Sequence, residues 1–144
     1  FDTYYAHIYG TESTGNCSRG GGPFGSTLPY ETSPGISHKS VEVLPGGKKI
    51  DDMINSISGK AILIVDIPIG IFHSSVSTGE FSAVAQSAFL IQDGEKINPV
   101  QPVSVSGNFY KGFQRLLDVG GDLKRTPLSV ETPSLLFDGF SVVG

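Results

Sequence analysis

The sequence is poor in the residues from which covalent and metal-bound sites are usually built. It has one cysteine, Cys17, and no tryptophan. A single cysteine excludes an internal disulfide and fits a reducing compartment, so a cytoplasmic protein is expected. His7, His38 and His73 lie far apart and form no HExxH motif, whereas a zinc site usually takes three or four such ligands. The spacing therefore predicts no complete metal site and no nucleophile–base pair.

Positive charge and long apolar runs are also scarce. Ten Lys and Arg residues stand against 14 Asp and Glu residues, which gives a formal charge of −4. Lys48-Lys49, the closest approach to a basic cluster, is followed by Asp51 and Asp52. Nucleic acid is not an expected partner, because phosphate neutralisation needs clustered cations. No stretch approaches the roughly 20 apolar residues of a membrane span, so no membrane association is expected.

Turn-forming residues, in contrast, are abundant. Nineteen Gly and nine Pro residues without a fixed period predict many short elements joined by turns. Two short helices are expected. The first covers Ile50–Ile57, where apolar residues fall at i, i+3, i+4 and i+7. The second follows the N-cap candidate Asn108, extends through Leu117 and ends at Gly120-Gly121.

Most of the remaining chain is expected to form strands. A change in the apolar alternation predicts a bulge near Gln86-Ser87, and Asp93-Gly94 predicts a tight type I′ hairpin. Pro99 and Pro102 predict that the return strand lies at a sheet edge or is irregular. The predicted strands are Asp2–Tyr9, His38–Leu44, Lys60–Ile67 (buried on both faces), a segment beginning at Glu80, Lys96–Val105, and Leu135–Val143 with a turn or bulge at Asp138-Gly139.

These elements predict a β-dominated α+β fold. Six or seven strands and about two helices would form a mixed or antiparallel sheet, or a barrel-like sandwich. Residues 1–144 are expected to be one domain. The segment Gly10–Gly35 reads as a loop of a length that is uncommon unless it is functional or packed against a partner.

Two loop features could carry chemistry. Gly20, Gly22 and Gly25 formally match a dinucleotide-binding loop, but Pro23 lies inside the motif and no helix can begin directly after it. Glu80 lies in Thr78-Gly79-Glu80-Phe81-Ser82. It could be a general acid or support another active-site group, or it could simply be a charge at the start of a strand.

Six segments in a fixed order resemble the C-terminal region of the TldD/PmbA family, whose PmbA branch is also named TldE and modulator of DNA gyrase. The segments are Tyr4-Tyr5-Ala6, Ser13-Thr14-Gly15-Asn16-Cys17-Ser18-Arg19, Thr78-Gly79-Glu80-Phe81-Ser82, Gly94-Glu95-Lys96-Ile97-Asn98-Pro99-Val100, Ser106-Gly107-Asn108 and Thr132-Pro133-Ser134-Leu135-Leu136. The resemblance runs from Phe1 to Gly144 and implies that the chain is the C-terminal domain of a longer polypeptide.

The resemblance also implies a function. TldD-type proteins are zinc metallopeptidases that cleave unfolded peptides and process leader peptides, and they pair with a PmbA/TldE-type subunit that lacks the metal site. A homodimer is the other assembly that the resemblance allows. The peptide lies extended in the assembly, so main-chain hydrogen bonds would give affinity by strand addition.

The family's zinc ligands come from an upstream HExxxH helix and a cysteine near the C-terminus. Here Gly121-Asp122-Leu123 leads through Lys124-Arg125-Thr126-Pro127 without a cysteine, and Cys17 lies in a different motif. This departure favours the PmbA/TldE branch. It implies that this chain binds no zinc of its own and that a TldD-type partner contains the zinc. An active TldD-like peptidase with an unusual third ligand, or a non-proteolytic protein that binds DNA gyrase, remain as alternatives.

Two segments are candidates for a peptide- or partner-facing surface under this resemblance. The first is the loop Ser13–Gly22, and the second is Thr78–Ser82. Tight turns or packing could account for both equally well. The candidate residues are Ser13, Thr14, Gly15, Asn16, Arg19, Thr78, Gly79 and Glu80.

Overall fold

The computed structural model describes residues 3–19, 29–36, 41–126 and 130–144. These residues group into two compact units, one within 1–42 and 125–131 and the other within 43–124 and 132–144. The helices are α1 (Thr3–Tyr9), α2 (Ile50–Asn55) and α3 (Phe109–Phe113), with 3-10 turns at Pro29–Glu31 and Ile71–His73. The strands are β1 (Cys17–Ser18), β2 (Gly35–Ile36), β3 (Val41–Glu42), β4 (Lys60–Ile64), β5 (Glu80–Ala85), β6 (Ala88–Gln92), β7 (Glu95–Val100), β8 (Val103–Asn108), β9 (Leu116–Val119), β10 (Lys124–Arg125), β11 (Val130–Thr132), β12 (Leu135–Phe137) and β13 (Ser141–Val143).

The predicted β-dominated α+β class is confirmed, whereas the element counts were too low. The described residues hold three α-helices and 13 short strands, because several predicted long strands divide between sheets. Within these residues the sheets have two or three strands, and none closes into a barrel. No helix of the described part is long and apolar enough to cross a membrane.

In the first unit, the predicted strand Asp2–Tyr9 is wrong, because Thr3–Tyr9 forms helix α1. Gly10 ends the helix at φ +62°, with its N–H bonded to the carbonyl of His7 and the Thr11 N–H bonded to that of Ala6. This pattern is a Schellman motif. The alternation of apolar residues was misleading because Ala6 is the only buried residue of the helix.

Small strand pairs complete the first unit. Strand β1 pairs antiparallel with β2, and β11 pairs parallel with β3. Within the described part of the predicted strand His38–Leu44, which begins at Val41, Val41–Glu42 forms β3, and residues 38–40 lie outside the described ranges.

The second unit contains two three-stranded antiparallel sheets, in the orders β4-β6-β7 and β13-β8-β5, and the pair β12-β9. Its core is built from small and β-branched residues of β5, β6 and β8, with partly buried Phe81 and Phe140 packed against them. The buried members of this cluster are Ala85, Ala88, Val103 and Val105. The predicted alternation of β5 is confirmed, since Ala83 and Ala85 face the interior.

The predicted hairpin at Asp93-Gly94 is confirmed. Both residues have positive φ, +49° and +83°, as a type I′ turn requires, and the turn joins β6 to β7. The Gly59 N–H donates to Asp93 Oδ1 at 2.8 Å, and the Asp93 N–H donates to the Gly59 carbonyl. The turn is therefore also fixed to the start of β4.

The predicted bulge near Gln86-Ser87 is wrong, because the chain passes there from one sheet to the other. Oδ2 of Asp66 accepts hydrogen bonds from the N–H groups of Gln86 and Ser87 at 2.9 and 2.8 Å. This contact comes from 20 residues upstream and could not be read from the local pattern.

Two predicted strands were too long. Lys96–Val105 breaks at Gln101-Pro102 into β7 and β8, which belong to different sheets, although β7 is an edge strand as expected from Pro99. The strand predicted over Lys60–Ile67 ends at Ile64. It is half-buried rather than buried on both faces, because its residues line an open cleft, and it lies at the other edge of its sheet.

The predicted helix α2 is confirmed, and Asn108 caps α3 as expected, but α3 ends at Phe113. Its predicted continuation forms β9, because Leu116–Val119 pairs with β12. Gly120-Gly121 therefore follows a strand and not a helix. The interruption at Asp138-Gly139 is confirmed as a break between β12 and β13, which pair with different neighbours.

Candidate functional site

The segment Thr78–Ser82 enters β5 from a loop whose main chain is held at several points. Gly79 is buried and adopts φ +80°. Its N–H donates to the Ser75 carbonyl at 2.7 Å, and its carbonyl accepts the Phe109 N–H at 2.9 Å. A glycine here is required by conformation as well as by space, because a Cβ would lie 2.4 Å from Cδ2 of Tyr110.

Asn108 connects this loop to helix α3. Its Oδ1 accepts the Lys111 N–H at 3.2 Å as an N-cap, and its Nδ2 donates to the Thr78 carbonyl at 2.7 Å. The Tyr110 hydroxyl donates to the Val76 carbonyl at 2.6 Å. Two of the segments singled out from the sequence, 78–82 and 106–108, are thus brought together by hydrogen bonds.

The side chains of this loop are available to solvent although its backbone is fixed. Thr78 and Glu80 are exposed, and Thr78 Oγ1 lies 3.4 Å from the Glu80 nitrogen. Glu80 is opposite Asn108 in the β5–β8 ladder, and Ser82 is opposite Ser106. A rigid backbone that presents a hydroxyl and a carboxylate is suited to contact another molecule, while Gly79 has a structural role.

The other candidate loop, Ser13–Gly22, is described only through Arg19. Gly20–Gly22, and the rest of the glycine motif as far as Gly25, lie outside the described residues. Its residues from Ser13 to Cys17, and Arg19, are exposed. Gly15 adopts φ +68°, and its N–H lies 3.3 Å from Ser13 Oγ.

Short-range hydrogen bonds shape this loop. Asn16 Nδ2 donates to Thr14 Oγ1 at 3.3 Å, and the Cys17 N–H donates to the Gly15 carbonyl at 2.9 Å. The loop then enters β1, which pairs with β2. The backbone conformation explains Gly15, and the exposed Ser13, Thr14, Asn16 and Arg19 remain contact candidates.

Asp122 forms a second connection between sequence segments, this time with Ser134. Its carboxylate accepts the Ser134 N–H at 3.0 Å and the Ser134 hydroxyl at 2.8 Å, and Lys124 Nζ lies 3.2 Å from Oδ2. Burial raises the pKa of Asp122, but the hydrogen bonds from Ser134 and Lys124 outweigh it and lower the pKa to about 2.

A neighbouring carboxylate, Asp118, is engaged by Lys48. The hydrogen bond from the Lys48 ammonium is the main cause that holds the pKa of Asp118 below its usual range. The backbone of Lys48 also forms an isolated parallel β-bridge with Gly120. In this bridge the Lys48 carbonyl accepts the Gly121 N–H at 2.8 Å. Both carboxylates around the Gly-Asp-Leu element are therefore held by protein cations and hydrogen-bond donors.

The tethers from Asn108 and Asp122 were not identified from the sequence. Asn108 was recognised as a local cap, but its second hydrogen bond crosses 30 residues and has no local signature. Asp122 and Ser134 belong to two different sequence motifs, and only the fold places them together. The sequence did offer one local signal for this site. A glycine at a strand start, here Gly79 between Thr78 and Glu80, is typical of a residue with positive φ.

The whole chain matches a domain that is known from a family of metallopeptidases. A family model described as PmbA/TldA metallopeptidase C-terminal domain matches residues 1–144. The chain belongs to this family, and the matched part is its C-terminal domain. The resemblance inferred from the six segments is thereby confirmed.

Individual relatives agree with this assignment. The chain is 24% identical over 156 residues to a metalloprotease TldD homolog of Buchnera aphidicola subsp. Acyrthosiphon pisum, covering 99% of this chain and 30% of the relative. The crystal structure of TldE from Thermococcus kodakarensis matches with a TM-score of 0.73 and 28% identity, covering 99% of this chain and 30% of that one.

A third relative supports the fold alone. A Thermotoga maritima protein that carries the name modulator of a DNA gyrase matches with a TM-score of 0.75 at 24% identity, over 99% of this chain and 29% of that one. The chain thus spans about three-tenths of the length of these relatives.

The resemblance implies zinc for the family, and the described part of this chain does not hold a complete zinc site by itself. A protein zinc site needs three or four Cys, His or carboxylate ligands. In residues 3–19, 29–36, 41–126 and 130–144, no three His, Cys, Asp or Glu side chains group together to hold a metal. Cys17 is exposed in β1, and His38 lies outside these ranges.

Proposed function

We propose that this chain is the C-terminal domain of a PmbA/TldE-like subunit of a TldD-type zinc metallopeptidase complex. The subunit itself is non-catalytic, and the zinc belongs to a TldD-type partner. The observation that carries the proposal is the segment after Asp122, which reads Leu123-Lys124-Arg125-Thr126-Pro127 where a zinc-binding relative would place a cysteine. Asp122 does not replace that ligand, because Ser134 and Lys124 already occupy its oxygens.

The proposed role of the subunit is to support the partner and line the chamber that receives an unfolded or leader peptide. Thr78 and Glu80 suit this role because they are exposed on a backbone that Asn108 and Tyr110 hold in place. The exposed polar side chains of the Ser13–Arg19 loop form the other proposed contact surface. The single exposed cysteine fits action in the cytoplasm.

A reconstitution assay tests the proposal. The full-length polypeptide that carries this chain is incubated with an unfolded peptide, alone and together with the TldD-type protein from the same organism. We expect cleavage only when both are present, since zinc-activated water is needed for hydrolysis. Cleavage by the lone polypeptide at the rate of the mixture would contradict the proposal.

Variants locate the contact surface in the same assay. Thr78→Ala combined with Glu80→Gln should slow cleavage or weaken association with the partner. Glu95→Gln removes a carboxylate from the exposed strand β7 and serves as the matched control. Equal activity of the double variant and the control would remove Thr78 and Glu80 from the proposed surface.

A second candidate is an active TldD-like metallopeptidase, and the similarity to a metalloprotease TldD homolog favours it. In that case an HExxxH motif lies upstream in the same polypeptide, and the third zinc ligand is unusual. Sequencing the complete reading frame separates the two candidates. The absence of HExxxH leaves the non-catalytic subunit, and its presence favours the active enzyme.

A third candidate, a non-proteolytic protein that binds DNA gyrase, follows from the name of the Thermotoga maritima relative. Its test is the affinity of the full-length polypeptide for folded gyrase in the absence of any peptidase partner. Binding under these conditions would favour it over a peptidase subunit.

A further inference from the structure

The second unit contains an apolar cleft of about 700 Å³. Helix α2 contributes Ile50, Met53 and Ile54, Ile57 follows the helix, and the sheets contribute apolar residues such as Val103 and Phe137. Protein interiors are close-packed, with few voids larger than a water molecule. This cleft is open to the surface, and exposed apolar surface of this kind marks a site that another segment or molecule covers.

One border of the cleft is the edge of β4 that faces away from β6, with which no strand of the described residues pairs. All five residues of β4 line the cleft. The Val65 N–H donates to the Ser87 carbonyl, and the Asp93 N–H donates to the Gly59 carbonyl. In residues 59–65, the backbone N–H and C=O groups of the odd-numbered residues therefore point toward β6. Hydrogen bonding alternates along an antiparallel strand. The N–H and C=O groups of Ile62 and Ile64 consequently point away from β6, where the described residues offer no further strand.

The strand β13 borders the same cleft, and no second strand among the described residues pairs with its outer edge. Val84 exchanges both of its backbone hydrogen bonds with Ile69, so its backbone groups point away from β8. By the same alternation, Ser104 of β8 faces β13 and bonds to Val143, its register partner. The N–H and C=O of Val142 therefore point outward at this edge, and Val142 lines the cleft.

Free edges and apolar walls together define the kind of occupant. An extended strand would satisfy the backbone groups of Ile62, Ile64 and Val142 while its apolar side chains filled the cleft. A compact small molecule would leave most of these donors and acceptors without partners. Long, unprotected strand edges are also a liability that natural proteins usually cover.

We infer that the cleft is filled by an extended apolar segment of the same polypeptide, from the part that precedes this C-terminal domain. The chain spans only three-tenths of the length of its relatives, so most of a family polypeptide is available to supply such a segment. This inference rests on family membership and on the cleft, and not on the proposed absence of catalysis.

Hydrogen exchange in the full-length polypeptide tests the inference, because the strand itself provides the controls. The amides of Ala61 and Leu63 face β6 and should be protected in any case. If the cleft is filled by a paired strand, the amides of Ile62 and Ile64 should be slowed to a similar degree, on the order of 100-fold or more. Rapid exchange of Ile62 and Ile64 beside protected Ala61 and Leu63 would overturn the inference.

Photo-cross-linking identifies the occupant. A photoreactive phenylalanine derivative replaces Gln101, which is exposed and lines the cleft, and in a control protein it replaces Glu95 on β7, outside the cleft. We expect Gln101, and not Glu95, to cross-link within one polypeptide to a segment upstream of this domain. Cross-links from Gln101 only to a second polypeptide or to an added peptide would overturn the inference, as would none at all.

Discussion

The Asp122 carboxylate accepts two hydrogen bonds from Ser134, one from its backbone N–H at 3.0 Å and one from its hydroxyl at 2.8 Å. The Gly120 N–H donates in turn to the Ser134 carbonyl at 2.8 Å. These contacts fasten the chain before β12 to the Gly-Asp-Leu element. The Gly-Asp-Leu element and the start of β12 are therefore held together by three hydrogen bonds.

The first prediction concerns acid stability. The folded-state pKa of Asp122 is lowered from 3.8 to about 2, so its charged form stabilises the fold above about pH 4. This contribution should be lost as the pH falls from about 4 to about 2, and it is at most about 2 kcal/mol for a side chain that keeps some exposure. Urea unfolding across this pH range measures the change.

Asp122→Asn should remove most of that pH dependence and lower stability at pH 7 by about 1–2 kcal/mol. Glu95→Gln, on an exposed strand, is the control for the loss of one carboxylate. If Asp122→Asn and the control unfold alike at every pH, the stabilising role of the Asp122–Ser134 contact is wrong.

The second prediction concerns Gly79, which combines φ +80° with a crowded side. Gly79→Ala would bring a Cβ to 2.4 Å from Tyr110 Cδ2 and 2.9 Å from Asn108 Oδ1. We expect it to destabilise the protein by about 1–3 kcal/mol, measured by thermal or urea unfolding. Gly47→Ala meets no atom within 4 Å and should change stability by no more than about 0.5 kcal/mol.

The third prediction separates the two hydrogen bonds of Asn108. Asn108→Asp keeps an oxygen to cap α3 but loses the donor to the Thr78 carbonyl, whereas Asn108→Ala loses both. Asn108→Asp should cost about 1 kcal/mol or more, and Asn108→Ala should cost more still. Faster exchange of the Gly79 amide in both variants would show that the loop has loosened, and unchanged exchange would argue against the tether.

The fourth prediction concerns Cys17, which is exposed in β1. It belongs to no group of three or more His, Cys, Asp or Glu side chains among the described residues that could hold a metal. Cys17→Ser in the full-length polypeptide should leave both its metal content and its activity with a TldD-type partner unchanged. A drop in bound zinc in the Cys17→Ser protein would make Cys17 a ligand and contradict the proposed subunit role.

Local signals in the sequence were sufficient for several elements. The spacing from Ile50 to Ile57 gave α2, and Asp93-Gly94 gave the β6–β7 hairpin, because periodicity and turn chemistry act within a few residues. In α1 the signal was present but misread. Gly10, directly after Tyr9, is a typical helix C′ residue and indicated a helix that ends there. The alternation of apolar residues that suggested a strand buries only Ala6 in the structure.

Longer-range contacts decided what the sequence could not. Asp66 ends β5 by binding the N–H groups of Gln86 and Ser87, and the pairing of β9 with β12 stops α3 at Phe113. The same holds for the candidate site. The motifs containing Thr78, Asn108, Asp122 and Ser134 were visible one by one, but their pairing depends on hydrogen bonds between residues 12 and 30 positions apart.

The central claim, that the zinc of the complex lies in the partner, is tested most directly by the metal content of the purified full-length polypeptide. Mass spectrometry of metals, after removal of loosely bound ions, should find far less than one zinc per chain. The TldD-type partner purified in the same way should hold stoichiometric zinc. One zinc per chain in the polypeptide that carries this domain would contradict the account.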